Sequence, residues 1–311
     1  MLTPRDDLYP SRFGTQTHWL PRQDPVVHGA REHMIAAGWQ AADIDAFERD
    51  GFVVWHDVFD DAELETLQAD AQRMRTDATL CATPAAITET DGQALRSLFH
   101  IHATQALWRR VASDERLAGR ARALLGDEVY IHQSRLNDKP AFHGQAFDWH
   151  SDFETWHTED GMPRMRAVSM SVTLTPNHAQ NGPLMLIPGS HRHYITCVGD
   201  TPREHFKQSL KRQDIGVPAP EAVTQLVNAS GLVTVEAPPG SVIVFDCNTL
   251  HGSNGNITPW PRSNAFFVYN AMCNAVQDPY GAQAARPEFV ASRAQISALQ
   301  HVSCTAPGLT H

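Results

Sequence analysis

The sequence predicts a mainly β fold, a barrel or jelly roll with flanking helices. The second half of the chain holds six short runs rich in apolar and β-branched residues: 129–136, 165–175, 184–187, 232–235, 241–245 and 264–270. Glycine, proline and asparagine separate the runs, as in Asn181-Gly182-Pro183 and Pro238-Pro239-Gly240, and such clusters mark turns. Apolar residues from 168 to 174 alternate with Ser and Thr from 169 to 175, which predicts a strand with one solvent-facing side. Several short strands at this spacing are typical of a closed β architecture.

The first 127 residues have a different residue pattern, which predicts helices around a single strand. A polar, proline-containing stretch over 1–40 predicts an irregular arm. Asp60 suits the N-cap of a helix, and Gly51 and Gly126 suit the ends of others. The predicted elements are helices at 41–49, 61–75, 93–102 and 105–125 and a strand at 51–55.

Length and composition favour one large domain. The chain has 311 residues and is 42% hydrophobic, enough for a sizeable core. We expect an N-terminal arm with helices over 1–127, a β core over 128–275 and a C-terminal extension over 276–311. A polar stretch at 196–231 interrupts the strands, and it is either a lid or a solvated surface loop.

Charge and cysteine content narrow the class of protein. The net charge is −10 and no basic run occurs, which argues against nucleic acid as a partner. The chain has no run of 18 consecutive apolar residues, so no membrane span is expected. The polar N-terminus lacks the apolar region of a secretory signal. The five cysteines are an odd number without a CxxC pair, so free thiols in a reducing cytoplasm are expected.

His150 and Asp152 form a His-x-Asp pair, and His251 stands 101 residues later. Two histidines and one carboxylate hold non-haem Fe(II) on one face and leave the opposite face open. Side chains two residues apart on a strand point the same way, so we expect His150 and Asp152 to face inward together at a strand end. His251 follows the apolar run 242–245, which would bring it to the same mouth of a barrel. The alternative is an ordinary polar turn.

Arg262 follows His251 by 11 residues and suits a carboxylate anchor. Its planar guanidinium can donate two parallel hydrogen bonds to one carboxylate, and Ser253 could donate a third. Two neutral imidazoles and one carboxylate leave divalent iron with a net charge of +1, which favours a dianionic 2-oxoacid as cosubstrate. Arg262 could instead be a surface residue after Pro261.

Several segments carry a family resemblance. Residues 147–169, FDWHSDFETWHTEDGMPRMRAVS, resemble the signature of the ectoine hydroxylases, which belong to the phytanoyl-CoA dioxygenase-like group of Fe(II)/2-oxoglutarate oxygenases. The segments 131–142, 181–191, 245–257 and 261–271 resemble the same family in the same order. The resemblance implies a double-stranded β-helix of the cupin-like type and hydroxylation of ectoine to 5-hydroxyectoine. It also implies Fe(II), O₂ and 2-oxoglutarate, with succinate and CO₂ as co-products, and a homodimer that makes a compatible solute under osmotic stress.

The resemblance also implies roles for single residues. His150, Asp152 and His251 would bind iron. Arg262 and Ser253 would hold the distal carboxylate of 2-oxoglutarate, with Asn137 and Lys139 close to it. The ectoine pocket would be lined by Gln133, Trp156, Ser171, Phe245, Asn264 and Phe266. An aromatic wall could stack on the amidinium of ectoine, although each of these aromatic residues could equally serve core packing.

Some positions and some functions stay open at this stage. Glu154, His157, Glu159 and Asp160 match the family signature without an assigned role, and we expect them to organise the entrance or to support the ligands. A related oxygenase acting on another small amino-acid-like substrate is one alternative. The other is a metal-binding barrel without oxygenase chemistry, including a zinc hydrolase, although Arg262 argues against the hydrolase.

Overall fold

The computed structural model describes residues 7–89, 92 and 94–301, and it consists mainly of antiparallel strands with helices on one side. The strands are β1 Trp19–Pro21, β2 Phe52–Trp55, β3 Ala86–Thr88, β4 Leu95–Phe99, β5 Val129–Lys139, β6 Phe147–His150, β7 Ala167–Thr173, β8 Met185–Leu186, β9 His193–Ile195, β10 Val233–Thr234, β11 Val242–Asp246, β12 His251–Ser253 and β13 Arg262–Ala271. The helices are α1 Arg31–Ala36, α2 Ala41–Asp50, α3 Asp61–Thr76, α4 Ala78–Cys81, α5 Ile101–Thr104, α6 Ala106–Ser113, α7 Arg120–Leu125, α8 Asp152–Thr155, α9 Phe206–Ser209 and α10 Pro220–Ser230. Single π-helical turns follow α6 at Glu115–Gly119 and α8 at Trp156–Asp160.

Two sheets form the β core. The larger has seven strands in the order β2-β11-β7-β13-β5-β4-β3, and the smaller has four in the order β10-β8-β12-β6. All neighbouring pairs in both sheets are antiparallel. Side chains of the two sheets pack together in one apolar cluster that includes Leu186 from β8, Phe245 from β11 and Phe266 from β13. This arrangement is the predicted jelly roll, the cupin-like fold.

The helices cover the outer face of the larger sheet. Leu67 of α3, Trp108 of α6 and Leu124 of α7 share one buried cluster with Met170 of β7 and Phe267 of β13. Asp60 caps α3 through a capping box with Glu63, as its place in the sequence predicted. The outward face of the sheet is therefore apolar because it packs against helices.

The prediction of a solvent-facing side for β7 is wrong. Ser169, Ser171 and Thr173 are as buried as the apolar residues that alternate with them. The apolar residues of β7 face the helical layer, so the alternating polar residues face the interior of the barrel. The alternation in the sequence thus separates two buried environments, one apolar and one polar.

Two other predictions need correction in the N-terminal half, and the insertion has helices of its own. Gln93 lies outside the described residues, and the rest of the helix predicted at 93–102 is the strand β4 followed by the start of α5. The predicted irregular arm contains α1 and β1, and β1 pairs with β9. The insertion at 196–231 contains the helices α9 and α10.

Two further sequence expectations concern membranes and thiols. Within the described ranges, none of the helices is both long and apolar enough to span a membrane. Cys81, Cys197, Cys247 and Cys273 are free thiols, and Cys304 lies outside the described residues.

Candidate active site

His150, Asp152 and His251 converge at one mouth of the barrel. His150 ends β6 and His251 begins β12, and the two residues lie directly opposite each other across this strand pair. Nε2 of His150 is 3.7 Å from Asp152 Oδ1, and Nε2 of His251 is 3.9 Å from Asp152 Oδ2. The three ligand atoms lie within 4.8 Å of one another, close enough to share a metal ion.

The route of the chain through this site differs from the prediction. Asp152 is not on a strand beside His150, because β6 ends at His150 and Asp152 is the first residue of α8. Ser151 is the N-cap of that helix, and its side chain accepts a hydrogen bond from the Glu154 N–H. The carboxylate reaches the histidines from a helix start, so the strand argument for the pair is wrong while the convergence is confirmed.

The hydrogen bonds of the histidines prepare them as metal ligands. Nδ1 of His150 lies 2.7 Å from the Asp148 carbonyl, and Nδ1 of His251 lies 3.0 Å from the Thr249 carbonyl. A carbonyl only accepts, so each Nδ1 carries the proton and each Nε2 offers a lone pair. Burial, assisted by the neighbouring His150, lowers the pKa of His251 to about 4, which keeps it neutral near pH 7. Two neutral imidazoles and a carboxylate fit Fe(II).

A small cavity adjoins the two histidines on the predicted cosubstrate side. Asn137, Ser253 and Arg262 line it, together with Arg135 and Phe266. Nη2 of Arg262 donates to Asn137 Oδ1 over 2.9 Å, whereas its buried Nε has no hydrogen-bond partner among the described residues. Burial lowers the pKa of Arg262 to about 10, so the side chain remains charged at neutral pH. A buried cation with an unused donor fits an anionic group of a ligand.

Lys139 stands beside this cavity and not in it. Lys139 pairs with Arg262 across β5 and β13, and its Nζ donates to the Gln145 carbonyl over 2.6 Å. Both side chains line another cavity with Arg75 and Asp138. Burial, together with the charges of Arg262 and Arg96, lowers the pKa of Lys139 to about 6. Of the four predicted cosubstrate residues, three are therefore brought together and the fourth is their neighbour.

A larger, open cavity is lined by His150 and Asp152 together with the predicted residues Gln133 and Trp156. Nε2 of Gln133 donates to the Val290 carbonyl over 2.8 Å, while its Oε1 accepts from Arg135 over 2.6 Å. Trp156 is held in the π-helical turn that follows α8. This cavity is the candidate substrate pocket.

Four other residues predicted for that pocket lie elsewhere in the site. Phe266 lines the cosubstrate cavity, and the ring of Phe245 packs 5.0 Å from that of His251. Asn264 donates to the Ser171 hydroxyl over 3.2 Å in the barrel interior. Phe245, Ser171 and Asn264 are not among the described residues that line either cavity.

Sequence reasoning missed several residues of the larger cavity: Ser97, Phe99, Arg135, Thr155, Ser209, Leu210, Gln213 and Arg286. Arg135 lies between Gln133 and Asn137 on β5, so the period of two along that strand could have found it. Arg286 comes from the C-terminal extension, where no periodicity marks it. Its Nε and Nη2 donate to Asp160 over 2.8 and 2.5 Å, and this contact gives Asp160 a role.

Comparison with known proteins identifies the family. The family model of phytanoyl-CoA dioxygenase (PhyH) matches residues 47–264. The ectoine dioxygenase of Sphingopyxis alaskensis is 52% identical over 294 residues, which are 94% of this chain and 95% of that protein. The ectoine dioxygenase of Halomonas elongata is 48% identical over 93% of this chain and 86% of that protein.

Solved structures agree with the sequence comparison. The EctD crystal structure from S. alaskensis with 2-oxoglutarate and 5-hydroxyectoine has a TM-score of 0.86 and 48% identity, over 96% of this chain and 98% of that one. The structure of the same protein with bound Fe has a TM-score of 0.84 and 48% identity, over 95% of this chain and 98% of that one. The chain therefore belongs to the phytanoyl-CoA dioxygenase family, in which the ectoine dioxygenases are its relatives.

Proposed function

We propose that this protein hydroxylates ectoine to 5-hydroxyectoine, with O₂ and 2-oxoglutarate consumed and succinate and CO₂ released. The observation that carries the proposal is the pairing of two features. The Nε2 atoms of His150 and His251 converge with the Asp152 carboxylate, and the neighbouring cavity is lined by a buried Arg262 whose Nε no described residue accepts from. This pairing suits an iron that shares its open face between a 2-oxoacid and O₂.

Each group has a defined task in this proposal. Iron(II) with 2-oxoglutarate and O₂ supplies the oxidising power that replaces a C–H bond of the substrate by C–OH. His150, Asp152 and His251 hold the metal, and Ser169 steadies Asp152 through a 3.3 Å hydrogen bond to Oδ2. Arg262, Ser253 and Asn137 receive the distal carboxylate of the cosubstrate. Lys139 stands behind Arg262 and can take up a proton when the dianionic cosubstrate binds.

The choice of ectoine rests on the relatives and on the character of the larger cavity. Ectoine is a zwitterion with a carboxylate and a delocalised cationic amidine. Arg286 offers a cation for the carboxylate, and Trp156 offers an aromatic face for the amidine. Gln133 presents a polar edge to the same space. Phe245 packs against His251 and Phe266 lines the cosubstrate cavity, while Ser171 and Asn264 are buried on the barrel strands.

Joint measurement of both products tests the proposal. The protein is loaded anaerobically with Fe(II), then given 2-oxoglutarate, O₂ and ectoine, and succinate and 5-hydroxyectoine are quantified together. We expect the two products in a ratio near one. Succinate without 5-hydroxyectoine would keep the oxygenase and reject ectoine as substrate. Neither product, with iron bound, would reject both.

We also propose that the enzyme is a homodimer in the cytoplasm. Phe142, Ile257 and Trp260 are exposed on two neighbouring loops joined by a hydrogen bond from the Phe142 N–H to the Thr258 carbonyl, and exposed apolar patches often mark interfaces. The free thiols suit a reducing compartment. Light scattering on the purified protein should give the mass of two chains, and Ile257→Asp should lower it to one. A wild-type mass of one chain would reject the dimer.

A further inference from the structure

A buried ion-pair network lies directly behind the substrate pocket, and Arg12 is at its centre. Its Nε and Nη2 donate to the two oxygens of Glu154 over 3.0 and 2.8 Å, and its Nη1 donates to Glu159 over 2.6 Å. The three side chains are all at most 2% exposed. Both acids follow Asp152 closely in sequence, and the sequence alone gives neither of them a specific role. An N-terminal residue thus holds the segment that carries the pocket wall.

The same network reaches the insertion between β9 and β10. Thr201 accepts from Arg12 Nη1 over 3.1 Å, and Nδ1 of His205 lies 3.1 Å from Glu159 Oε1. Gln213 donates to the Thr155 hydroxyl over 3.3 Å. Thr155 and Gln213 both line the substrate pocket. The insertion therefore closes one side of the pocket while contacting the network that Arg12 organises.

Gly216 marks how closely the insertion approaches. It has a φ of +78°, and a Cβ at this position would come within 2.6 Å of Arg12 Nη2 and 2.7 Å of Glu154 Oε2. Only a glycine adopts this backbone conformation readily and leaves room for the ion pair. The chain passes over the guanidinium at this point with no space for a side chain.

The backbone of Arg12 is also held in an uncommon conformation. Its φ is +59°, in the left-handed region that residues with a Cβ avoid. A hydrogen bond from its N–H to the Cys197 carbonyl fixes it there, and Ser11 donates to Glu154 over 2.7 Å. Strained backbone conformations of this kind persist where several surrounding contacts hold them in place, often at functional sites.

The charges explain why Arg12 has to be an arginine. Burial acts to raise the pKa of Glu159, but hydrogen bonding to His205 and the charges of Arg286 and Arg12 hold that pKa below its ordinary value. Two buried carboxylates need cationic donors in fixed directions, and a planar guanidinium can serve both at once. A lysine would keep the charge, but its single ammonium could not reproduce the fork.

We propose that Arg12 is a positioning residue for the substrate pocket, which locks the 154–159 segment and the insertion into the geometry that binds substrate. It acts through Glu154, Glu159 and the Thr155 wall and is not itself among the described residues that line the cavity. The cosubstrate residues Asn137, Ser253 and Arg262 stand on strands outside this network. Loss of Arg12 therefore weakens substrate binding selectively. The inference rests on the proposed function for the identity of the substrate.

The test compares Arg12→Lys with Arg116→Lys in the iron-loaded protein. Arg116 is the matched control because it also bridges two acids, Glu63 and Asp114, but in the helical layer. The charge-balanced double variant Arg12→Met with Glu154→Gln serves if Arg12→Lys fails to fold, and Gly216→Ala disturbs the network from the insertion. Ectoine KM, 2-oxoglutarate KM, kcat, iron content and amide hydrogen exchange are measured for each.

We expect the KM for ectoine to rise about tenfold or more in the Arg12 and Gly216 variants. Iron content and the KM for 2-oxoglutarate should stay near wild type. Hydrogen exchange should increase at 152–160 and 201–216 and not in β5 or β13, whereas Arg116→Lys should leave every kinetic constant unchanged. An unchanged KM for ectoine, or an equal rise in both KM values, would overturn the proposal.

The exchange measurement separates this proposal from the identity of the substrate. If the wild-type protein forms no 5-hydroxyectoine, the proposed function has failed and the kinetic comparison is replaced by exchange alone. Faster exchange confined to 152–160 and 201–216 in Arg12→Lys would then still support positioning by Arg12. Wild-type exchange in both segments would contradict it.

Discussion

The two cavities that meet at His150 are built in different ways. The cosubstrate cavity takes its polar groups from strands of both sheets: Asn137 from β5, Ser253 from β12 and Arg262 from β13. The substrate cavity has one wall of barrel residues such as Gln133 of β5, and the rest of its wall comes from the π-helical turn after α8, the insertion and the C-terminal extension, which the N-terminal arm braces from behind. The barrel thus supplies the polar groups of the cosubstrate cavity, and segments outside the barrel complete the substrate cavity.

This difference teaches where selectivity can change. Strand residues are held by hydrogen bonds on both sides, so a change in one of them disturbs the barrel as well. Irregular segments are held by a few ion pairs such as Arg12 with Glu154 and Arg286 with Asp160. Substitutions in these segments can alter the pocket while the iron site stays intact.

Asp152 supplies the carboxylate of the candidate metal site at which the two cavities meet, so its loss should give the largest effect. We expect Asp152→Ala to abolish turnover with any substrate, because two imidazoles alone hold Fe(II) poorly and leave the site without its negative charge. Products and bound iron are measured together, with the exposed helical Glu65→Ala as control for the loss of one carboxylate. Full activity at normal iron content would contradict the assignment.

Arg262 tests the cosubstrate side of the comparison. Arg262→Gln should raise the KM for 2-oxoglutarate ~30-fold or more, because losing one partner of a buried charge pair costs ~2–5 kcal/mol. The KM for ectoine should change little. Arg262→Lys should give a KM for 2-oxoglutarate between those of wild type and Arg262→Gln, since an ammonium cannot make two parallel hydrogen bonds. An unchanged KM for 2-oxoglutarate in Arg262→Gln would count against the anchor.

Arg286 tests the substrate side. Arg286→Lys should raise the KM for ectoine about tenfold, because a hydrogen bond between charged groups contributes ~1.5–3 kcal/mol and lysine cannot bind Asp160 and the substrate at once. The KM for 2-oxoglutarate should stay constant. Arg293→Lys is the control, since the hydrogen bond from Arg293 to Asp160 goes to its backbone oxygen. Equal effects from the two variants would argue that Arg286 serves structure alone.

Lys139 should give the smallest effect, a proton taken up when 2-oxoglutarate binds. With a pKa of about 6 the side chain is mostly neutral at pH 7.5, and a nearby dianion favours its charged form. Calorimetry in two buffers of different ionisation enthalpy should show uptake of part of a proton, and Lys139→Met should remove it. The absence of uptake in wild type would show that the dianion leaves the Lys139 pKa unchanged.

The same pKa determines the sign of a stability effect. The unfolded chain binds this proton up to the ordinary lysine value of 10.5, whereas the folded chain releases it near pH 6. Between these values the unfolded state holds more protons, so the Lys139 contribution to folding stability increases as pH rises through this window. The stability of the wild type relative to Lys139→Met should therefore increase from pH 6 to pH 9, as measured by denaturant melts.

The parts that sequence predicted well share a local cause. Alternation and turn residues located the barrel strands, and the spacing of His150, Asp152 and His251 located the candidate ligands. His150 ends β6, Asp152 begins the helix after it, and His251 begins β12. The wrong predictions depended on partners far along the chain. Ser169 and Ser171 alternate with apolar residues as on a solvent-facing strand, but the second sheet covers them. The sequence of β4 favours a helix locally, and its pairing with β5 overrides that propensity. Nothing local marks Arg12 or Arg286, whose roles exist only through contacts with Glu154 and Asp160.

The position of Arg286 in the chain has a consequence for biosynthesis. All the barrel residues proposed to hold iron and cosubstrate have been translated once Arg262 and β13 are made, whereas the substrate pocket still lacks Arg286 and the Val290 carbonyl that holds Gln133. Because chains begin to fold while they are synthesised, the iron site can assemble before the pocket that directs its oxidising power. A nascent chain arrested shortly after β13 would therefore be the place to look for unguided oxidation of the protein itself.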